Sequence, residues 1–190
     1  MSKHLHAGLG QIGVMSCLLL ALSACTSRID SVPPSLETLR ILREGNVPSL
    51  SMGKFTSASK DVGKAVTIRL STLRPPSGGN YANFLASTFE SELRTAGKLD
   101  PASQTQIEAV LTESHVGEDM AKGDTSLGAT ISLRRSGETI FTKPYRVEAH
   151  WKSDFIGALA IPEAFRQYNA LYATLVRQVF SDPEFIAAAR

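Results

Sequence analysis

Residues 127 to 151 constrain the fold more than any other part of this chain. Leu127, Ala129, Ile131 and Leu133 alternate with small or polar residues. After the short Arg135-Ser136-Gly137-Glu138 turn, Phe141, Tyr145, Val147, Ala149 and Trp151 alternate again. Period-two alternation on both sides of a Gly-containing turn predicts a long hairpin with one covered face and one wetter face, which favours antiparallel pairing. Pro144 lies inside the second run and cannot donate to a ladder, so it predicts an edge strand or a bulge there. The apolar face then needs a second layer.

The rest of the chain supplies that layer. Tyr81, Phe84, Leu85, Phe89, Leu93 and Ala96 recur at helical spacing between Asn80, a capping residue, and Gly97, suited to the left-handed position after a helix. Phe165, Tyr168, Leu171, Leu175, Val176 and Val179 form a second stripe, with Pro162 suited to its first turn. Phe84, Phe89, Phe165 and Leu175 are predicted core residues. Further strands are predicted at Leu50–Phe55, along Ala65–Leu73 with Val66, Ile68 and Leu70 on one face, and at Ile107–Leu111. The fold class is α+β: a single antiparallel or mixed sheet with two amphipathic helices packed on one face, in the order β-β-α-β-β-β-α. No internal repeat is evident. At 190 residues, 43% hydrophobic, the chain suits one domain with a proper core. A balance of 20 Lys+Arg against 18 Asp+Glu gives no broad electrostatic footprint for nucleic acid.

The N-terminus carries an address. Lys3 precedes an apolar stretch from Ala7 to Ala24, densest at Leu18-Leu19-Leu20-Ala21-Leu22. This reads as a signal peptide, 1–24, cut between Ala24 and Cys25; the alternative is an uncleaved anchor, though the stretch is short for a span. Leu22-Ser23-Ala24-Cys25 resembles the lipobox of bacterial lipoproteins. That resemblance implies a diacylglyceryl group on the Cys25 thiol, cleavage before it, and N-acylation of the new amine. Several acyl chains hold where one does not, at roughly 0.8 kcal/mol per buried CH₂. Thr26 follows Cys25; where enteric-type sorting retains Asp at that position in the inner membrane, Thr26 implies the outer membrane, facing the periplasm. Residues 25–47 are then a lipidated N-terminus and tether with a short helix near Ser35–Arg43, and 48–190 the globular domain.

The remaining sequence offers little chemistry. Cys25 is consumed by lipid and Cys17 removed, so no disulfide or thiol nucleophile is expected. His115 and His150 are the only histidines left for a Ser-His-acid triad or a zinc site; both are expected on solvated surface, His115 beside a polar loop at Val116–Asp119. The acidic pairs Glu90/Glu92 and Glu118-Asp119 are expected to be solvated, since no calcium-loop spacing matches. Pro76-Ser77-Gly78-Gly79-Asn80 reads as a hinge with a helix cap and lacks the ending of a phosphate loop. Arg134, Arg135, Lys143 and Arg146 mix with Glu138 and Glu148. No catalytic residue, metal site or cofactor is therefore predicted beyond the covalent lipid. The loop Trp151–Gly157 holds the only Trp. Trp151, Phe155 and Ile156 are candidate partner contacts; alternatively Phe155 and Ile156 plug the end of the core.

The element order over 48–180 resembles small periplasmic modules: accessory lipoproteins of envelope lipid-transport systems, curli-type secretion lipoproteins and peptidoglycan-synthase activators. The segments Tyr81–Asp100 and Trp151–Pro162 are similar to a group of uncharacterised proteobacterial lipoproteins. The resemblance implies a non-enzymatic, periplasm-facing binding or accessory lipoprotein with a protein partner in the envelope and a membrane anchor, and no nucleic acid. A regulator of an envelope enzyme is the alternative within that class; a cell-envelope hydrolase is the alternative outside it.

Overall fold

The computed structural model describes Ser27–Arg28, 32–75, 79–119 and 121–190. The predicted signal peptide, Ala24, Cys25 and Thr26 lie outside these residues, as do 76–78 of the predicted hinge. The chain runs β1 (Ser27–Arg28), α1 (Leu36–Glu44), β2 (Ser51–Ser57), β3 (Val66–Ile68), β4 (Ser71–Arg74), α2 (Tyr81–Ala96), β5 (Thr105–Glu118), β6 (Lys122–Arg135), β7 (Glu138–Lys152), α3 (Gly157–Ser181) and α4 (Pro183–Ala189).

The predicted hairpin is the spine of the fold. Strands β6 and β7 pair antiparallel from Lys122↔Lys152 to Arg135↔Glu138. Ser136 and Gly137 both have positive φ, 51° and 89°, the paired left-handed turn whose twist suits a two-residue hairpin. Strand β5 pairs antiparallel with β6, and β2 pairs parallel with β5, giving a mixed sheet of order β2-β5-β6-β7. Strand β7 is an edge, which is how Pro144 is accommodated.

Helices α2 and α3 cover one face. Asn80 accepts a hydrogen bond from the Asn83 N–H at 3.0 Å. Gly97 closes α2 at φ 73°, with its own N–H on the Arg94 carbonyl and the Lys98 N–H on the Leu93 carbonyl, the double bond of a Schellman cap. Phe84, Phe89, Phe165 and Leu175 are buried as predicted. Within this layer Tyr168 and Tyr172 share a hydrogen bond of 2.7 Å, and Tyr168 shares another with Ser114 on β5 at 2.8 Å. Burial pushes both phenols above their ordinary range, so they stay neutral. Among the described residues no helix is long and apolar enough to cross a membrane.

Four departures from the sequence reading concern the small sheet and the helices. The strand expected along 65–73 is a hairpin, because Arg69 turns the chain at φ 52° and leaves Leu70 fully exposed. Strands β3 and β4 pair there and, with β1, form a second small sheet. The globular unit takes in α1 as well, since Leu42 and Val47 belong to the core. Helix α3 starts at Gly157 rather than near Pro162; the proline costs only the bond to the carbonyl of Ala158, an exposed residue that water can reach. Glu92 is buried rather than solvated: it lies on the covered side of α2, and one carboxylate oxygen accepts the Ser35 N–H at 2.8 Å.

That burial has a measurable consequence. Desolvation raises the Glu92 pKa above 4.5, outweighing the Ser35 bond that lowers it. The folded state therefore holds its proton more tightly than the unfolded chain. The associated stability is complete below 4.5 and is lost as pH rises through the raised value. Glu92→Gln is expected to melt at a higher temperature than the parent at pH 7, and the difference is expected to vanish at pH 4. Thermal unfolding at the two pH values measures this; a gap that widens toward acid would reverse the sign.

Candidate functional site

The candidate site lies at the end of the sheet remote from the Ser136-Gly137 turn. Here β5 runs on through Val116, Gly117 and Glu118, which pair with Thr125, Asp124 and Gly123. The polar loop expected from Val116 is thus strand, and the connection is short. Asp119 closes it by accepting the Ala121 and Lys122 N–H groups at 2.7 and 2.6 Å. Those backbone bonds hold the Asp119 carboxyl below its ordinary pKa.

Trp151 sits opposite Gly123 on the helix-facing side of the β6–β7 pair. A Cβ on Gly123 would lie 2.1 Å from the indole Cε2, so the ring rests on bare backbone and no larger residue fits beneath it. The indole is half-buried against the core, and its Nε1 is enclosed with no hydrogen-bond acceptor among the described residues. Beside it opens a groove of about 880 Å³ lined by Asp119, Lys122, Gly123, His150, Trp151 and Lys152, among others.

Beyond Trp151 the chain is fixed by a buried polar knot. Glu118 is expected to be solvated, yet its side chain is fully enclosed, because continuing β5 by strand alternation puts it on the same side as Val116. Its carboxylate accepts the Ser153 Oγ–H at 2.6 Å and faces the Arg69 guanidinium at 3.4 Å. Arg69 also donates to the carbonyls of Asp154 and Phe155, at 2.9 and 3.3 Å. Asp154 in turn accepts the Ile156 N–H at 2.8 Å. The result presents Phe155 and Ile156 outward, 72% and 57% exposed. They do not plug the core.

Of the other residues singled out from sequence, His150 lines the groove and the rest do not converge on it. His115 faces Asp124 at 3.3 Å and His150 faces Glu148 at 3.7 Å, both histidines exposed on the sheet face away from the helices. Among the described residues, no three His, Cys, Asp or Glu side chains come together to hold a metal ion. The basic residues disperse. Arg135 donates to Thr105 and to the last carbonyls of α4, Lys143 pairs with Asp182 and Glu184, and Arg146 pairs with Glu113. Glu90 pairs with Arg94 along its helix. Arg69, Gly123 and Ser153, which build the site, had no signal in the sequence: each acts through a partner distant along the chain.

No family of known proteins matches the chain, and no curated protein does. Among solved structures it is similar to a Xanthomonas campestris protein of family DUF330, at 9% identity and a TM-score of 0.48, covering 82% of this chain and 94% of that one. It is also similar to a minor lipoprotein from Acinetobacter baumannii, at 12% identity and a TM-score of 0.41, covering 71% and 92%. A third is the lipoprotein GNA1162 from Neisseria meningitidis, at 11% identity and a TM-score of 0.29, covering 63% and 94%.

Proposed function

We propose that this chain is a non-enzymatic lipoprotein, anchored through Cys25 in the outer membrane and facing the periplasm, that binds a protein partner in an envelope transport or assembly system. The lipobox-like Leu22-Ser23-Ala24-Cys25 supports the anchor, and Thr26 supports the outer membrane. The observation that carries the binding role is the groove at the sheet end, where the half-buried Trp151 is rimmed by lysines and acids. An aromatic floor with a charged rim is the layout of an interface anchor.

Two experiments test this. Cys25→Ser is expected to abolish acyl labelling, and Thr26→Asp, in a host with enteric-type sorting, to move the protein to the inner-membrane fraction of a density gradient. A mature chain with unmodified Cys25 by mass spectrometry would remove the anchor. For the binding role, the tagged full chain is recovered from detergent-solubilised envelopes. Recovery of its partner is expected to fall about tenfold when Lys122→Glu and Lys152→Glu are combined, and to be unchanged by Arg94→Glu on the exposed side of α2. Equal recovery in all three would discard the groove as the contact.

A further inference from the structure

Seven large hydrophobic side chains are exposed among the described residues, and four of them belong to one end of the molecule: Leu70, Phe155, Ile156 and Leu159, exposed by 100%, 72%, 57% and 57%. Leu70 follows Arg69 in the β3–β4 turn. The Arg69 guanidinium bonds the carbonyls of Asp154 and Phe155, and a Cβ on Gly157 would come within 3.2 Å of it, so that turn abuts the loop carrying the other three. Leu159 is one turn further on, its N–H on the Ile156 carbonyl.

Strand β1 begins near the same end. Strand β1 lies parallel to β4, with Ser27 opposite Leu73 and Arg28 opposite Arg74. In parallel register the N-terminal end of β1, at Ser27, points toward Ser71, which is the side of the Arg69–Leu70 turn. Cys25 is two residues before Ser27, so its Cα lies within about 7 Å of that of Ser27 in any conformation. A lipid on Cys25 therefore starts close to the exposed apolar cluster.

Part of the backbone that carries the cluster is already bonded within the protein. The carbonyls of Asp154 and Phe155 are bonded by Arg69, and the Ile156 N–H by Asp154. Backbone groups satisfied inside the protein enter an apolar boundary without leaving bonds unmade.

We propose that Leu70, Phe155, Ile156 and Leu159 form a bilayer-docking face that seats the protein on the membrane holding its Cys25 lipid, an inference that rests on the lipid-anchored reading above. The four side chains enter the boundary between headgroups and acyl chains, and anchor and face together fix which way the domain points. Phe155 and Ile156 thus contact lipid, leaving the Trp151 groove for protein.

The test uses the mature acylated protein in phosphatidylcholine vesicles containing nitroxide-labelled phosphatidylcholine. Lipid occupies the Cys25 thiol, so Leu70→Cys, Ile156→Cys or Ser181→Cys gives one labelling site for a fluorophore. Ser181 ends α3, some 36 Å along the helix from Gly157. Quenching by the nitroxide lipid is expected to be at least about fivefold stronger at positions 70 and 156 than at 181. Equal quenching at all three, with the acyl mass present on Cys25, would overturn the docking face and leave the anchor standing. An unmodified Cys25 would overturn both. Weak quenching at 156 together with a cross-link from that position to a protein would assign the face to a protein partner instead.

Discussion

Truncating Phe89 to Ala is expected to cost about 3–5 kcal/mol, the usual range for removing a fully enclosed aromatic ring. Phe89 has no exposed surface, and its ring meets Phe55 at 5.7 Å and Phe180 at 5.4 Å between centroids. It thereby joins α2 to β2 on one side and to α3 on the other. Leu85 and Leu93, one turn away on either side, are themselves fully buried. A domain of this size is commonly stable by about 5–15 kcal/mol, so the variant sits near the threshold of folding. Urea unfolding checks this: an unchanged slope with a midpoint lowered in proportion is the expected result, and a loss under 1 kcal/mol would mean that the core relaxes around the hole.

The second large effect is expected at Arg69. Arg69→Ala leaves the enclosed Glu118 carboxylate without its cation and frees the carbonyls of Asp154 and Phe155. Removing one partner of a buried ion pair costs about 3–5 kcal/mol; because Arg69 is partly exposed, about 3 kcal/mol is expected here. Two further variants show that the charge is the cause. Arg69→Ala combined with Glu118→Gln should recover more than half of the loss, since no ion is then stranded and the amide oxygen still accepts from Ser153. Arg69→Gly should be milder than Arg69→Ala by about 1 kcal/mol, because φ 52° suits glycine and strains alanine. If the double variant is as unstable as Arg69→Ala, the ion pair is not what holds the loop.

These two sites differ in how far the sequence announces them. Phe89 lies on a stripe with recognisable caps at both ends, so its burial could be read directly. The hairpin was equally legible over residues 127–151, down to the turn and the edge proline, though not its extension to Lys122. The Arg69 turn was not, because neither Arg69 nor Leu70 is a residue that turns favour, and the apolar alternation runs straight through them. Strand β5 was cut short for a different reason. A bulge between Leu111 and Glu113 shifts its phase, so beyond it the covered face carries Ser114, Val116 and Glu118. Polar residues on a covered face read as loop unless their partners are known. Those partners, Tyr168 and Ser153, lie 54 and 35 residues away. The acid at 92 was hidden in the same way, its donor being Ser35, 57 residues upstream. The address proposed at Cys25, by contrast, rests on contiguous residues alone.

The chain of hydroxyls from Ser114 through Tyr168 to Tyr172 has a consequence for how uniquely the layers lock together. Apolar contacts tolerate sliding: α3 displaced by one turn, about 5.4 Å, would still lay a stripe of Phe, Leu and Val over the sheet. The hydroxyls do not tolerate it. Ser114 stands at one level of β5; a slip of α3 by one turn one way would bring it Ala164, which has no hydroxyl, and a slip the other way would bring Tyr172 while leaving Val176 where Tyr172 stood. Three oxygens thus act as a vernier between helix and strand, selecting one alignment among several that grease alone would accept.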